Sequence, residues 1–111
     1  MVVDYLNGAG VGATAYPAVP SSRPAEFLVV EQTGGSRPDR VRSLPSVDVD
    51  CWAQTRARAS ELSDEVAAAA LAMADELTNV FGATVTTQYN NPDPDSGQPR
   101  YTVGIDITAN E

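Results

Sequence analysis

The chain lacks histidine and lysine entirely, carries one cysteine and one tryptophan, and has no long apolar run. Each absence removes a class of function. Without histidine, the commonest general base and the commonest metal ligand are gone together. Cys51 alone cannot build an intramolecular disulfide framework, and with no histidine to activate it, it reads as a small core residue. No segment approaches the roughly 20 apolar residues that a membrane-spanning helix needs. The opening MVVDYLNGAG has neither a basic n-region nor an apolar h-region, so no signal peptide is expected and the chain reads as made in a reducing cytoplasm. Aromatics are only 6% of the residues, which leaves aliphatic and alanine side chains to fill the core.

Acid is what the chain has in excess. Fifteen acidic residues face seven arginines, for a formal net charge of −8. Such a surface repels nucleic-acid phosphates, which excludes a reader of DNA grooves with a basic face. With 111 residues, 42% of them hydrophobic, a single domain over residues 1–111 with one modest core is expected.

Residues 26–32 (EFLVVEQ) read as a central strand, with Phe27 and Val29 on one face and Leu28 and Val30 on the other. Residues 46–53 (SVDVDCWA) alternate: Val47, Val49 and Cys51 share one face, Asp48, Asp50 and Trp52 the other. Between them, residues 33–45 (TGGSRPDRVRSLP) read as a long flexible loop carrying the basic cluster Arg37, Arg40 and Arg42. Thr55 is a competent N-cap for a helix running to about Asn79. Leu62, Val66, Ala69, Met73, Leu77 and Val80 supply its apolar stripe, and Gly82 its stop. Arg56 and Arg58 at its start oppose the helix dipole, which marks them as candidates for contact. Residues 83–89, with Val85, Thr87 and Tyr89 in register, then form a hairpin with a last strand lined by Tyr101, Val103, Ile105 and Ile107. Residues 2–7 read as a short helix and residues 11–16 as an edge strand. The fold class expected is α+β, a two-layer sandwich in which one long helix crosses a mainly antiparallel sheet of four to five strands.

The proline-rich loop over residues 90–99 is the obvious place to test for chemistry. Counted from Asp93 or from Asn91, it fails the oxygen-ligand and glycine spacing of a calcium loop. Asp93 and Asp95, set in an exposed turn, have nothing to desolvate them toward a general acid–base role. The simpler reading is structural: proline fixes φ, the aspartates cap the turn, and Gly97 supplies a positive φ. The glycine run over residues 8–12 lacks the spacing and the preceding strand of a nucleotide-binding loop. Trp52, on a polar face beside two aspartates, either packs beneath another segment or anchors an interface.

Taken in order, these segments resemble a family. The run Glu26-Phe27-Leu28-Val29-Val30 is followed by Gly34-Gly35, and then Val47-Asp48-Val49-Asp50-Cys51-Trp52-Ala53 leads into a helix at Thr55-Arg56. The loop Pro92-Asp93-Pro94-Asp95-Ser96-Gly97-Gln98-Pro99-Arg100-Tyr101 opens the last strand. Across about residues 26–108 this is similar to the tail terminators, the small tail-completion or minor tail proteins of long-tailed phages, actinobacterial phages among them. The resemblance implies a virion protein of the head-proximal tail end, which assembles as a homohexameric ring on the tail tube protein. It implies that the ring ends polymerisation and binds the head–tail connector or stopper protein. Six copies at −8 each carry −48 in formal charge, so DNA is expected to pass the lumen without specific binding. The candidate subunit or tail-tube interface comprises Arg37, Arg40, Arg42, Trp52, Arg56, Arg58, Asp93, Asp95 and Arg100. No catalytic residue, metal ligand, cofactor or membrane contact is expected. The alternatives are another connector ring such as a stopper or adaptor, a small hydrolase or metal-dependent enzyme using Asp93, Asp95, Asp48 or Asp50, and a protein-binding domain acting through residues 37–42.

Overall fold

The computed structural model describes residues 2–9, 11–22, 24–36, 42–77 and 80–110. The elements in chain order are α1 (Val2–Gly8), β1 (Thr14–Tyr16), β2 (Phe27–Ser36), β3 (Arg42–Trp52), α2 (Arg56–Glu76), β4 (Val80–Asn90) and β5 (Arg100–Asn110). The strands form one sheet in the order β1-β2-β3-β5-β4. Only β1 and β2 run parallel; the other three pairs are antiparallel. The fold is thus α+β, with one long helix on a five-stranded mixed sheet and a short N-terminal helix beside it.

Helix α2 starts where its cap is strongest. Thr55 sits in extended backbone (φ −129°, ψ 154°), and its Oγ1 accepts the Arg58 N–H at 3.1 Å. Ala59, Leu62, Val66, Ala70 and Met73 then bury the face turned to the sheet, against Leu28, Val47, Val49, Cys51, Val103, Ile105 and Ile107. Burying a Leu or Val side chain fully stabilises by about 1.5–3 kcal/mol, so this stripe fixes the helix to the sheet. The helix ends earlier than the sequence pattern suggests. Leu77 is already extended (φ −110°, ψ 126°), Val80 belongs to β4, and Gly82 is a strand residue paired with Thr108 at a bulge. The demand of β4 for pairing along β5 outweighs the helix pattern there.

Helix α1 is held from two directions. Val2, Tyr5 and Leu6 are buried in the core, and the Tyr5 hydroxyl donates to the Ala69 carbonyl at 2.8 Å. Asn7 brackets β1: its Oδ1 accepts the Ala15 N–H at 2.7 Å and its Nδ2 donates to the Ala15 carbonyl at 3.2 Å. Those two bonds fix a three-residue strand that would otherwise be too short to hold its place.

Two further expectations are corrected. The segment read as a loop over residues 33–45 is strand at both ends, with Gly35 opposite Pro45 and Ser36 opposite Leu44. A register shift between Gln32 and Gly34 absorbs the glycines, and Pro45, with no N–H to give, falls between the pairs Ser43–Ala109 and Ser46–Asp106. The second correction is in β4. A bulge between Val85 and Thr87 makes Thr86 the extra residue, so Val85 faces the core opposite Ile105 while Thr87 and Tyr89 face the other way. After the bulge Gln88 points at the helix, and its Nε2 reaches Ser63 Oγ at 2.8 Å and Asp64 Oδ1 at 2.7 Å.

Candidate functional site

The register builds the open face of the sheet, opposite α2, as four rows. The first is Phe27, Trp52 and Arg100; the second Val29, Asp50, Thr102 and Tyr89; the third Glu31, Asp48, Gly104 and Thr87; the fourth Gly34, Ser46, Asp106 and Thr84. Apolar and cationic groups therefore sit at one end of the face and carboxylates along the rest.

In the first row, Trp52 stacks on Phe27 with ring centroids 5.1 Å apart, and the Arg100 guanidinium lies 5.0 Å above the indole. Trp52 is only 3% exposed, so it packs beneath its own chain. The loop after β4 seals this end. Arg100 Nε donates to the Asn91 carbonyl at 2.8 Å, the Ala53 N–H donates to the Pro99 carbonyl at 3.2 Å, and Gln98 Nε2 reaches the Ala53 carbonyl at 3.4 Å. The loop itself is the structural turn that its residues suggest. Asp93 Oδ2 accepts from the Ser96 hydroxyl at 2.6 Å and the Ser96 N–H at 3.1 Å, and Gly97 has φ +71°. The Ser96 hydroxyl, above all, holds the Asp93 carboxyl below the ordinary carboxylate range.

The remaining rows are acidic. Thr102 Oγ1 donates to Asp50 at 2.7 Å and accepts from Asn91 Nδ2 at 3.1 Å, while Ser46 Oγ donates to Asp106 at 2.7 Å. Partial burial, then the charges of Asp50 and Glu31, push the Asp48 carboxyl above its ordinary value. The five strands hold two basic residues, Arg42 and Arg100, against Glu31, Asp48, Asp50 and Asp106.

A second cluster lies at the start of α2. Arg58 Nε donates to Glu26 at 2.6 Å, and its Nη1 meets Glu61 at 3.1 Å and Glu65 at 3.4 Å. Glu65 in turn accepts the Gly12 N–H at 3.1 Å. This explains an arginine set against the helix dipole: three carboxylates offset it, and they raise its pKa, the Glu26 hydrogen bond most of all. A cleft of about 490 Å³ lined by Gly12, Thr14, Glu26, Gln54, Thr55 and Arg58 opens beside it, with the guanidinium already engaged in its wall.

The nine residues expected at an interface thus separate. Trp52, Arg100 and Asp93 come together at one end of the sheet. Arg58 is tied into its own chain, and Arg56 and Asp95 are exposed in different places. Arg42 begins β3, and Arg37 and Arg40 lie outside the described residues. The sequence reading missed the Glu26–Arg58–Glu65 cluster, which joins residues more than thirty positions apart. It missed Asp106 as well, although alternation on β5 already put it opposite the apolar face, and Glu31, which shares its face of β2 with Phe27 and Val29. Among the described residues, no group of three or more Cys, Asp or Glu side chains is placed to hold a metal ion, and no helix is long and apolar enough to cross a membrane. No family model matches the chain, and no curated protein matches it.

Proposed function

We propose that the chain is a non-enzymatic structural protein of a phage virion. It closes as a hexameric ring on the head-proximal end of the tail tube, ends tail polymerisation and joins the tail to the head connector. The observation that carries this reading is the convergence of the segments in which the resemblance lies. Residues 26–30, residues 47–53, the helix start at Thr55 and the loop over residues 92–101 are far apart in sequence. Yet Phe27, Trp52 and Arg100 form one row, and Ala53 bonds to Pro99. A pattern scattered along the chain becomes one end of one domain, the kind of composite surface from which a ring or tube contact is built.

Charge supports the same reading. Turned toward a ring lumen, Glu31, Asp48, Asp50 and Asp106 repel DNA phosphates and let the genome slide without a bound state. Arg56 is exposed at the helix start and lies outside the three-carboxylate cluster that holds Arg58; in the proposed ring it meets acids of a neighbouring copy. Such a contact is heterologous and closes after six copies. A stopper or adaptor ring differs from this only in its partner, which binding to connector rather than tube identifies.

Negative-stain electron microscopy with light scattering, on the protein alone and mixed with purified tail tubes, tests the proposal. Six-fold rings with a central hole, free or on tube ends, are the expected result. A protein that forms no ring and leaves tube ends bare at every concentration overturns it.

A further inference from the structure

The sheet ends in two edges of very different kind. On one side β1 is three residues long, and Pro17 and Pro20 follow it closely. Short length and nearby proline are the usual protections of a sheet edge. On the other side β4 runs for eleven residues, Val80–Asn90, with no charged residue and no proline. It is rich in the β-branched and aromatic residues that favour strands: Thr84, Val85, Thr86, Thr87 and Tyr89. Among the described residues, its outer row of N–H and C=O groups faces no neighbouring strand. The bulge at Thr86 bends the strand but puts neither charge nor proline on the edge.

We infer that a second copy of this chain covers the edge, by antiparallel pairing of the two β4 strands across a two-fold axis. Length selects the partner, since the chain's other terminal strand offers three residues and β4 itself offers eleven. Charge selects it too. Of the four long strands, β2 carries Glu31, β3 carries Arg42, Asp48 and Asp50, and β5 carries Arg100 and Asp106; β4 alone is neutral. Two molecules of net charge −8 meet most easily where neither presents an acid. Self-pairing centred on Val85 sets Thr84 opposite Thr86, and with no charged residue anywhere on the strand no like charges face each other. The acids stay at the margins: Asp64 holds Gln88 on the helix side, and Asp106 lies opposite Thr84 on the open face. Their repulsion is long-ranged and screened by salt. The pair therefore strengthens as salt rises, the opposite of a contact made by arginine on carboxylate.

This inference stands apart from the tail reading. A six-fold ring is built from head-to-tail contacts, so the two-fold pair belongs to the free protein and opens before a ring closes.

The test uses the full chain with Thr86→Cys and, separately, Thr84→Cys. Cys51 does not compete, because it is fully buried and burial raises its thiol pKa far above the reactive range. A short bismaleimide, which tolerates a small slip of register, is expected to give a covalent dimer at both positions, in yield that rises with sodium chloride. Thr86→Asp, at an exposed site, is expected to weaken the dimer roughly tenfold in sedimentation equilibrium, as like charges opposed across strands do. Far-UV circular dichroism confirms that this variant is folded. Absence of the cross-link at both positions and all salt concentrations overturns the inference. So does a dimer that Thr86→Asp leaves unchanged while folded, or one that salt dissolves.

Discussion

Gly104→Ala is the sharpest test of how the open face is built. Gly104 lies on β5 between Asp48 of β3 and Thr87 of β4, opposite the bulge. A methyl group there would stand 2.5 Å from Thr87 Oγ1, 2.9 Å from Thr86 Oγ1 and 3.4 Å from Asp48 Oδ1. The first two distances are shorter than real contacts, so a neighbour must move. β-branched side chains resist this because their χ1 is stiff, and the bulge has brought two threonine hydroxyls over one position. Overpacking of this kind costs about 1–3 kcal/mol. Replacing glycine inside a strand returns about 0.5–1 kcal/mol through chain entropy. The net loss is about 0.5–2 kcal/mol, or roughly 2–12 °C in Tm for a chain of this size. Thermal unfolding followed by circular dichroism reads it directly. Thr87→Ala removes the nearest oxygen, so the double variant is expected to recover at least about 0.5 kcal/mol beyond additivity. A Gly104→Ala protein that melts at or above the parent temperature refutes the reasoning, since the bulge would then have room for a side chain.

Arg100→Ala removes both the guanidinium above Trp52 and the bond to the Asn91 carbonyl, and is expected to cost about 1–2.5 kcal/mol. Because Trp52 is the only tryptophan, its emission should shift to the red as the loop lifts; unchanged emission counts against the sealed end. Asp48→Asn is expected to stabilise the protein at neutral pH. The folded carboxyl is raised above its ordinary value, so the fold binds that proton more tightly than the unfolded chain does. The penalty is therefore full when the group is charged in both states, and it fades as pH falls through the folded pKa toward that of the unfolded chain. Asp93→Asn runs the other way, because its lowered pKa contributes stability at neutral pH that is lost as pH falls through the folded value. Denaturant unfolding of both variants at neutral and at acid pH should show the two differences with opposite signs, each shrinking in acid.

Much of the fold could be read from spacing, for reasons that are local. Thr55 caps through its own Oγ1 three residues ahead, and the alternation of Val47, Val49 and Cys51 against Asp48, Asp50 and Trp52 is a property of any strand. Asp93 and Gly97 announce their turn because φ and capping preferences act within four residues. Where the reading failed, the deciding partner was distant. Nothing in TVTTQY signals that Thr86 is an extra residue; only pairing with Gly104 makes it one, and it reverses the side on which Tyr89 lies. Gly34, Gly35 and Pro45 carry loop chemistry, yet β2 and β3 continue through them once paired. Arg58 reads as a candidate for outside contact near the helix start, because Glu26 reaches it, and Gly12 reaches its partner Glu65, only through the tertiary fold. The acidic face was half visible: Asp48 and Asp50 stood out, and Asp106 joined them when the register set β5 beside β3.

The charges on that face are compensated differently from those elsewhere. Glu26, Glu61 and Glu65 share the guanidinium of Arg58, so their repulsion is offset by a countercharge. Asp50 and Asp106 receive hydroxyl donors instead, from Thr102 and Ser46. A neutral hydrogen bond contributes about 0.5–1.5 kcal/mol net and cancels no charge. Glu31 and Asp48, paired in one row, and Asp50 in the next therefore still repel one another, and that repulsion adds to partial burial in holding the Asp48 proton tightly. Stability alone favours asparagine at that position. A charge kept against stability fits a surface whose work is repulsion, as the proposed channel requires. Two assays on one variant then move in opposite senses. Asp48→Asn combined with Asp50→Asn should unfold at higher denaturant than the parent, while rings assembled from it should retain DNA at low salt where parent rings release it. Greater stability with no change in DNA retention would separate the acidic face from any channel and leave its charge as a property of the surface alone.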